Sequence, residues 1–427
     1  MTSTPRAATP TSLGRLVARS LEIPDPGPLL ELLPEDAPTA WLRRGEGIVG
    51  WGVAASIRTS GPRRFAEAVD WWHQIAAGAV VRDELGVPGS GLVCLGSFAF
   101  ADEPGDSVLV VPHVVVGRRG ERTWVTVISD DEVSPPPELV RQPEPRDPGT
   151  VTFADGDVDG AEWEAIVARA VARINAGELE KVVLARDLIA TTDEPLDVRW
   201  PLRRLGEHYE MCWTFHVDGL FGATPELLVR RERGLVTSRV LAGTIRRTGD
   251  DDRDLALAAT LARSSKDLEE HEYAVRSVAD SLAPHCTSMN VPEAPFVLHL
   301  PNVMHLATDV AGVVPDTDSS TVLELAAALH PSAAVGGTPT PVAVAMISEI
   351  EGMDRGRYAG PVGWMDAAGD GEFGIALRSA EYSPGPDGTG RVRLFAGCGI
   401  VADSQPESEL AEAQAKFVPV RDALSGR

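Results

Sequence analysis

The chain has 427 residues, of which 43% are apolar and 24% charged, with a formal net charge of −24. Those proportions fit a soluble globular protein of one large domain or two to three smaller ones. The acidic surplus argues against a nucleic-acid or anionic-membrane partner, while a small acidic substrate can still be held in a locally cationic pocket.

The N-terminal residues 1–11 are small and polar with no apolar core, so no secretory signal is expected there. A disordered tail is favoured over a transit peptide. Residues 47–57, 91–100 and 107–128 are β-branched and aromatic, punctuated by glycine and by the charged turn at Gly117-Arg118-Arg119-Gly120, and read as strands. A helix is predicted over 64–77. Prolines crowd residues 134–148, which cannot form a regular element and read as a long connection. Trp163, Ile166, Val167, Ala170, Val171 and Ile174 recur at helical spacing, with Gly177 placed to end that helix. Strands follow at 181–190, 211–217 and 227–231. One long helix is predicted over 253–282 and shorter ones over 321–329 and 341–350. Strands at 361–365, 373–382 and 391–401 precede a closing helix at 406–425. Long helices among hairpin-like strands, without regular βαβ alternation, argue for an α+β fold. The four cysteines, Cys94, Cys212, Cys286 and Cys398, have no CxxC spacing and read as reduced thiols of a cytoplasmic protein. No run reaches the length of a transmembrane helix.

Two acidic helical segments carry the first chemical signal. Asp267 and Glu270 share one helix face at i,i+3, as do Glu409 and Glu412, with Lys266 four residues before Glu270 and Lys416 four after Glu412. Two such faces brought together suit Mg2+, which takes one or two carboxylates directly and keeps water or substrate on its other positions. Taken singly, each segment reads more simply as a solvated helix face. Lys181 opens an apolar strand, where lost hydration would favour the neutral amine and a role as base, although an edge lysine can also reach solvent. Glu226 follows Gly222-Ala223-Thr224-Pro225 and precedes an apolar strand. Partial burial there suits a general acid, and a solvated turn carboxylate is the plainer alternative. Arg378 lies in an apolar strand and needs an anion, either a ligand carboxylate or Glu372. Gly397 and Gly399 can bring bare backbone amides to a carboxylate, or mark a bulge. His305 can donate to a ligand or be a satisfied core residue.

The order of these segments is similar to that of the chorismate-binding family, and within it the isochorismate synthases. The segments are Lys181-Val-Val-Leu-Ala-Arg, Phe221-Gly-Ala-Thr-Pro-Glu226, Leu241-Ala-Gly-Thr244, Ser265-Lys-Asp-x-x-Glu270-His271, His305-Leu-Ala-Thr and Leu329-His-Pro-Ser. They continue with Asp354-Arg-Gly-x-Tyr358-Ala-Gly-Pro-Val-Gly-Trp364, Gly371-Glu-Phe, Ala396-Gly-x-Gly-Ile400 and Glu412-x-x-x-Lys416. The resemblance covers roughly residues 155 to 425 and is loose in the N-terminal third. It implies two large antiparallel sheets packed face to face with helices outside. Residues 1–150 would then be a strand-rich part of the same compact fold, joined through 134–148 to a catalytic region at 151–427. It implies Lys181 as the base that deprotonates water for attack at C2 of chorismate, and Glu226 as the acid for the departing C4 hydroxyl. Glu270 and Glu412 would ligate Mg2+, with Asp267 and Glu409 behind them. Gly243, His305, Gly397 and Lys416 would contact the ring carboxylate or hydroxyl, and Tyr358 and Arg378 the enolpyruvyl carboxylate. The product would feed menaquinone or a catechol siderophore, from a monomer with no glutaminase subunit.

Departures are small-for-small: Ala413, Cys398 and Ser332 stand where the family usually has Thr, Ala and Thr. A salicylate synthase, which goes on to eliminate pyruvate, is the nearest alternative. Anthranilate synthases carry glutamine where Lys181 stands, and aminodeoxychorismate synthases a lysine where Ala242 stands, so both fit less well. A catalytically dead scaffold fits poorly because every expected catalytic position is filled.

Overall fold

A computed structural model describes residues 15–130, 134–300, 303–315, 320–385 and 389–426, and of Lys266 the backbone alone. The expectation for residues 1–11 and any role of the Lys266 side chain lie outside the described residues. Among these residues the strands form two sheets, one of thirteen strands and one of ten. Nearly every pairing is antiparallel, the pair Leu16–Glu22 and Val80–Asp83 being parallel. Strands from both sides of the proline-rich stretch enter both sheets. Thr39–Arg43 pairs with Trp213–Val217 in the larger sheet, and Val93–Ser97 with Pro361–Asp366 in the smaller.

The sheets pack face to face because their strands turn large apolar side chains inward. Phe373 of the smaller sheet, Phe98 just past its strand Val93–Ser97, and Trp41 and Phe215 of the larger sheet share one buried core. Trp41 lies so close to Gly374 of the opposite sheet that a Cβ there would come within 2.9 Å of its ring. Glu372 ties the layers further, accepting from the indoles of Trp41 at 2.8 Å and Trp213 at 3.0 Å and pairing with Arg230. It is therefore not the partner of Arg378.

Helices cover the outer faces. Gly160–Asn175 begins at Asp159, whose carboxylate accepts the Glu162 amide, and ends before Gly177 at φ +80°, the predicted stop. The stretch expected as one helix over 253–282 is two, Asp251–Leu261 and Ser265–Leu282. Ser264 breaks it by capping the second, its hydroxyl accepting the Asp267 amide. The predicted 373–382 strand is also two, Gly371–Ile375 in the smaller sheet and Ser379–Pro384 in the larger. The residues between them carry the chain across, with Arg378 in the left-handed region at φ +48°. No helix among the described residues is long and apolar enough to cross a membrane.

Candidate active site

The site lies where the two sheets part. Leu220–Thr224 belongs to the larger sheet and Leu227–Glu232 to the smaller, so Pro225 and Glu226 form a second crossing beside the one holding Arg378. The two crossings bond to each other, the Ile375 amide donating to the Glu226 carbonyl and the Ala223 amide to the Arg378 carbonyl. A backbone leaving its sheet turns side chains into the gap, which is how two polar residues in apolar surroundings come to face one cavity. That cavity has a volume of about 290 Å³. Lys181, Glu226, Gly243, Asp267, Glu270, His305, Tyr358, Arg378, Gly397, Glu409, Glu412 and Lys416 all line it, so the structure brings the whole predicted set together.

Lys181 begins the strand Lys181–Thr192, which pairs with Gly390–Ile400. The Val183 and Ala185 amides turn away from that partner, to the Gly336 carbonyl and the Glu351 carboxylate. Gly399 and Gly397, which face them, therefore turn their own amides toward the opposite, cavity-side edge. Gly399 has a second use that the sequence did not disclose: a Cβ there would meet Lys181 Cε at 2.7 Å, so the lysine stem lies across it. Lys181 Nζ stands 4.0 Å from Glu270. The buried pair Glu351–Arg355 steadies this strand edge, with Arg355 donating to the carbonyls of Val183 and Val335.

Glu226 is buried, and burial pushes its carboxyl up to about 8, although Lys181, Lys416 and the Leu241 backbone pull the other way. It is held as a neutral acid at physiological pH. The same shift affects stability. Between the ordinary carboxyl value of 4.5 and about 8, the folded chain keeps a proton that the unfolded chain has lost, so stability falls as pH rises through this window and levels off above it. Glu226→Gln removes that loss. Its melting temperature relative to wild type should climb from pH 5 to pH 9, reflecting a few kcal/mol; a pH-independent difference would contradict the buried neutral acid.

In the neighbouring crossing, Arg378 is 7% exposed, and its Nη1 has no hydrogen-bond partner among the described residues. Its Nη2 lies 3.2 Å from His305 Nε2. Arginine can only donate, so Nε2 accepts, and Nδ1–H is left to donate to Thr244 Oγ1 at 2.9 Å. Burial, then the charges of Arg378 and Lys416, hold His305 well below its ordinary value, in its neutral form. With both ring nitrogens engaged, His305 orients the guanidinium and does not itself offer a proton to the cavity. Thr244, which accepts from this tautomer, follows the bulge at Gly243 that interrupts the register between Leu235–Arg246 and Val303–Val313. Gly243, at φ +79°, packs against Asp267. The Leu241-Ala-Gly-Thr244 motif was visible in the sequence, but the threonine's part in it was not. Tyr358 stacks on Phe395 with ring centroids 5.1 Å apart, and burial raises its phenol far above the ordinary range.

The carboxylates come from two helices, Asp267 and Glu270 from Ser265–Leu282 and Glu409 and Glu412 from Pro406–Ser425. Lys416 Nζ pairs with Glu412 at 2.7 Å and donates to the Gly397 carbonyl at 2.9 Å. Burial works against the charge on Lys416, yet Glu412 beside it holds its proton on more tightly than usual. Glu409 is raised by burial and then by the like charge of Glu412, a crowding that a cation would relieve. No three His, Cys, Asp or Glu side chains among the described residues converge on one point. An all-oxygen set of this kind fits Mg2+, held by one or two carboxylates and completed by water or an anionic ligand.

Among known proteins, the family described as chorismate binding enzymes matches residues 37–425. The salicylate biosynthesis isochorismate synthase of Pseudomonas aeruginosa is 36% identical over 96% of this chain and 90% of its own length. Isochorismate synthase DhbC of Bacillus subtilis is 43% identical over 59% of this chain and 64% of its own. In fold, the chain resembles the menaquinone-specific isochorismate synthase MenF of Escherichia coli, with a TM-score of 0.78 and 24% identity over 96% of this chain and 95% of that one.

Proposed function

The chain belongs to the chorismate-binding enzyme family, and from that premise we propose that it converts chorismate to isochorismate. The observation that carries this reading is one cavity holding a lysine, a neutral buried carboxyl, a buried guanidinium with one nitrogen unpartnered among the described residues, and two pairs of carboxylates. Chorismate has complementary parts: two carboxylates, a ring carbon open to attack and a hydroxyl that must leave. Lys181 takes a proton from water, whose oxygen bonds to C2. The ring double bonds shift, the C4–O bond breaks, and Glu226 gives its proton to the departing oxygen, which leaves as water. One water enters and one leaves, so atoms and charge balance, and Lys181 ends protonated while Glu226 ends ionised. The base opens a strand and the acid sits in a crossing between the sheets, which lets them act on different carbons of the ring.

Glu270 and Glu412 would hold Mg2+, with Asp267 and Glu409 behind them. Bound there, the cation supplies positive charge for the ring carboxylate and draws electron density from the ring. Lys416, the Gly243 bulge and the amide of Gly397 line the wall for that carboxylate. Tyr358 and Arg378, the latter aimed by His305, take the enolpyruvyl carboxylate. Isochorismate would leave intact to feed menaquinone or catechol siderophore synthesis. The test is the product itself: purified protein given chorismate and Mg2+ should form isochorismate and stop in excess EDTA. Accumulation of fluorescent salicylate with pyruvate would instead support the elimination reading.

Arg378 offers a separate check. Arg378→Lys keeps the charge but loses the planar fork that grips a carboxylate through two bonds. The KM for chorismate should rise roughly tenfold, the worth of one charge-assisted hydrogen bond, with little change in melting temperature. An unchanged KM with a lowered melting temperature would make the arginine structural.

A further inference from the structure

A second cavity, of about 10 Å³, shares Glu226 and Ala334 with the main one. Its walls are largely apolar, from Leu228, Val240 and Val278, but Ser238 and Ser332 also line it. Arg239 lines it as well, with its guanidinium committed to Asp309 at 2.7 Å. Ser332 is 7% exposed, and its hydroxyl has no hydrogen-bond partner among the described residues. A buried hydroxyl left unpaired costs about 1–3 kcal/mol. The space is about that of one water, and two serines with a carboxyl give it the two to four polar partners that a buried water needs.

We propose that a single structural water sits here, held by Ser332 Oγ, and donates a hydrogen bond to the inner oxygen of Glu226. A neutral carboxyl has one oxygen that carries the proton and one that accepts. A donor fixed behind the group selects the inner oxygen as acceptor and leaves the O–H directed at the substrate. Ser332 is then a positioning residue that acts through the water, on a side of the acid that substrate does not reach. This inference rests on Glu226 as the proton donor proposed above.

The test combines kinetics with a crystal structure. Ser332→Ala should lower kcat roughly tenfold, the worth of one hydrogen bond to the reacting acid, with KM for chorismate within about twofold. Ser332→Thr, which keeps the hydroxyl, should restore most of kcat. A high-resolution crystal structure of the wild-type protein should show an ordered water between Ser332 Oγ and the Glu226 carboxyl. This second measurement does not depend on the Ala variant folding. An empty cavity in the wild type, or a wild-type kcat in Ser332→Ala, overturns the proposal. Glu226→Gln, assayed alongside, separates the two levels: if it stays active the acid itself is misassigned, whereas if it is inactive and Ser332→Ala is unaffected only the water fails.

Discussion

Lys181→Gln is expected to lose roughly 10²-fold or more of isochorismate formation while still binding chorismate, the usual scale for a positioned base. Glutamine can hydrogen-bond a water but cannot take its proton. The amide also fits the space, since the Lys181 stem already lies across Gly399, so the fold should be undisturbed. Steady-state turnover gives the rate and calorimetry the affinity. A variant that turned over near the wild-type rate would require another base. His305 is poorly placed for that role, because its Nε2 faces Arg378 and its Nδ1 faces Thr244, leaving no lone pair for water. A retained rate would therefore count against water activation by either residue.

Glu270→Ala or Glu412→Ala should abolish turnover and most Mg2+ affinity together. A site with one or two direct protein ligands has nothing to spare, so losing one removes much of the binding. The two variants should differ in a second respect. Glu412 holds Lys416, which in turn holds the Gly397 carbonyl. Its loss should therefore also weaken chorismate binding measured without metal, while Glu270→Ala should affect mainly the metal. Both glutamates line the cavity from the faces of otherwise packed helices, so melting temperatures without metal should stay near wild type. Mg2+ titration by calorimetry and turnover in EDTA provide the measurements. Full activity in either variant, or in saturating EDTA, contradicts the assignment.

Much of the site was legible because its residues break local rules. Lys181, Glu226 and Arg378 are polar groups in apolar surroundings, and the i,i+3 acid pairs share helix faces whatever the tertiary structure. What the sequence concealed is how they meet. Residues 373–382 contain no proline or turn pair and so read as one strand, although the apolar alternation changes phase at Arg378. The step from one sheet to the other at Arg378 depends on pairing with Leu227–Glu232 and Leu220–Thr224, which is non-local. The 253–282 stretch keeps helical character across residues 262–264, and only the Ser264 cap reveals the break. Arg199–His208 escaped notice because arginines and Pro201 obscure its apolar face. Thr244 and Gly399 matter through contacts with His305 and Lys181, partners that only the folded chain supplies. The bland alternative for Arg378, a salt bridge to Glu372, fails because Arg230 and two tryptophans already occupy that carboxylate.

The central claim is that a solvent water, activated at Lys181, becomes the C2 hydroxyl while the original C4 hydroxyl leaves with the proton of Glu226. Turnover of unlabelled chorismate in 18O-enriched water, followed by mass spectrometry of the isochorismate formed, tests it most directly. The product should carry one 18O at C2, at the enrichment of the solvent. Isochorismate without label would mean that the hydroxyl migrates within the substrate, and would contradict the roles given to both residues.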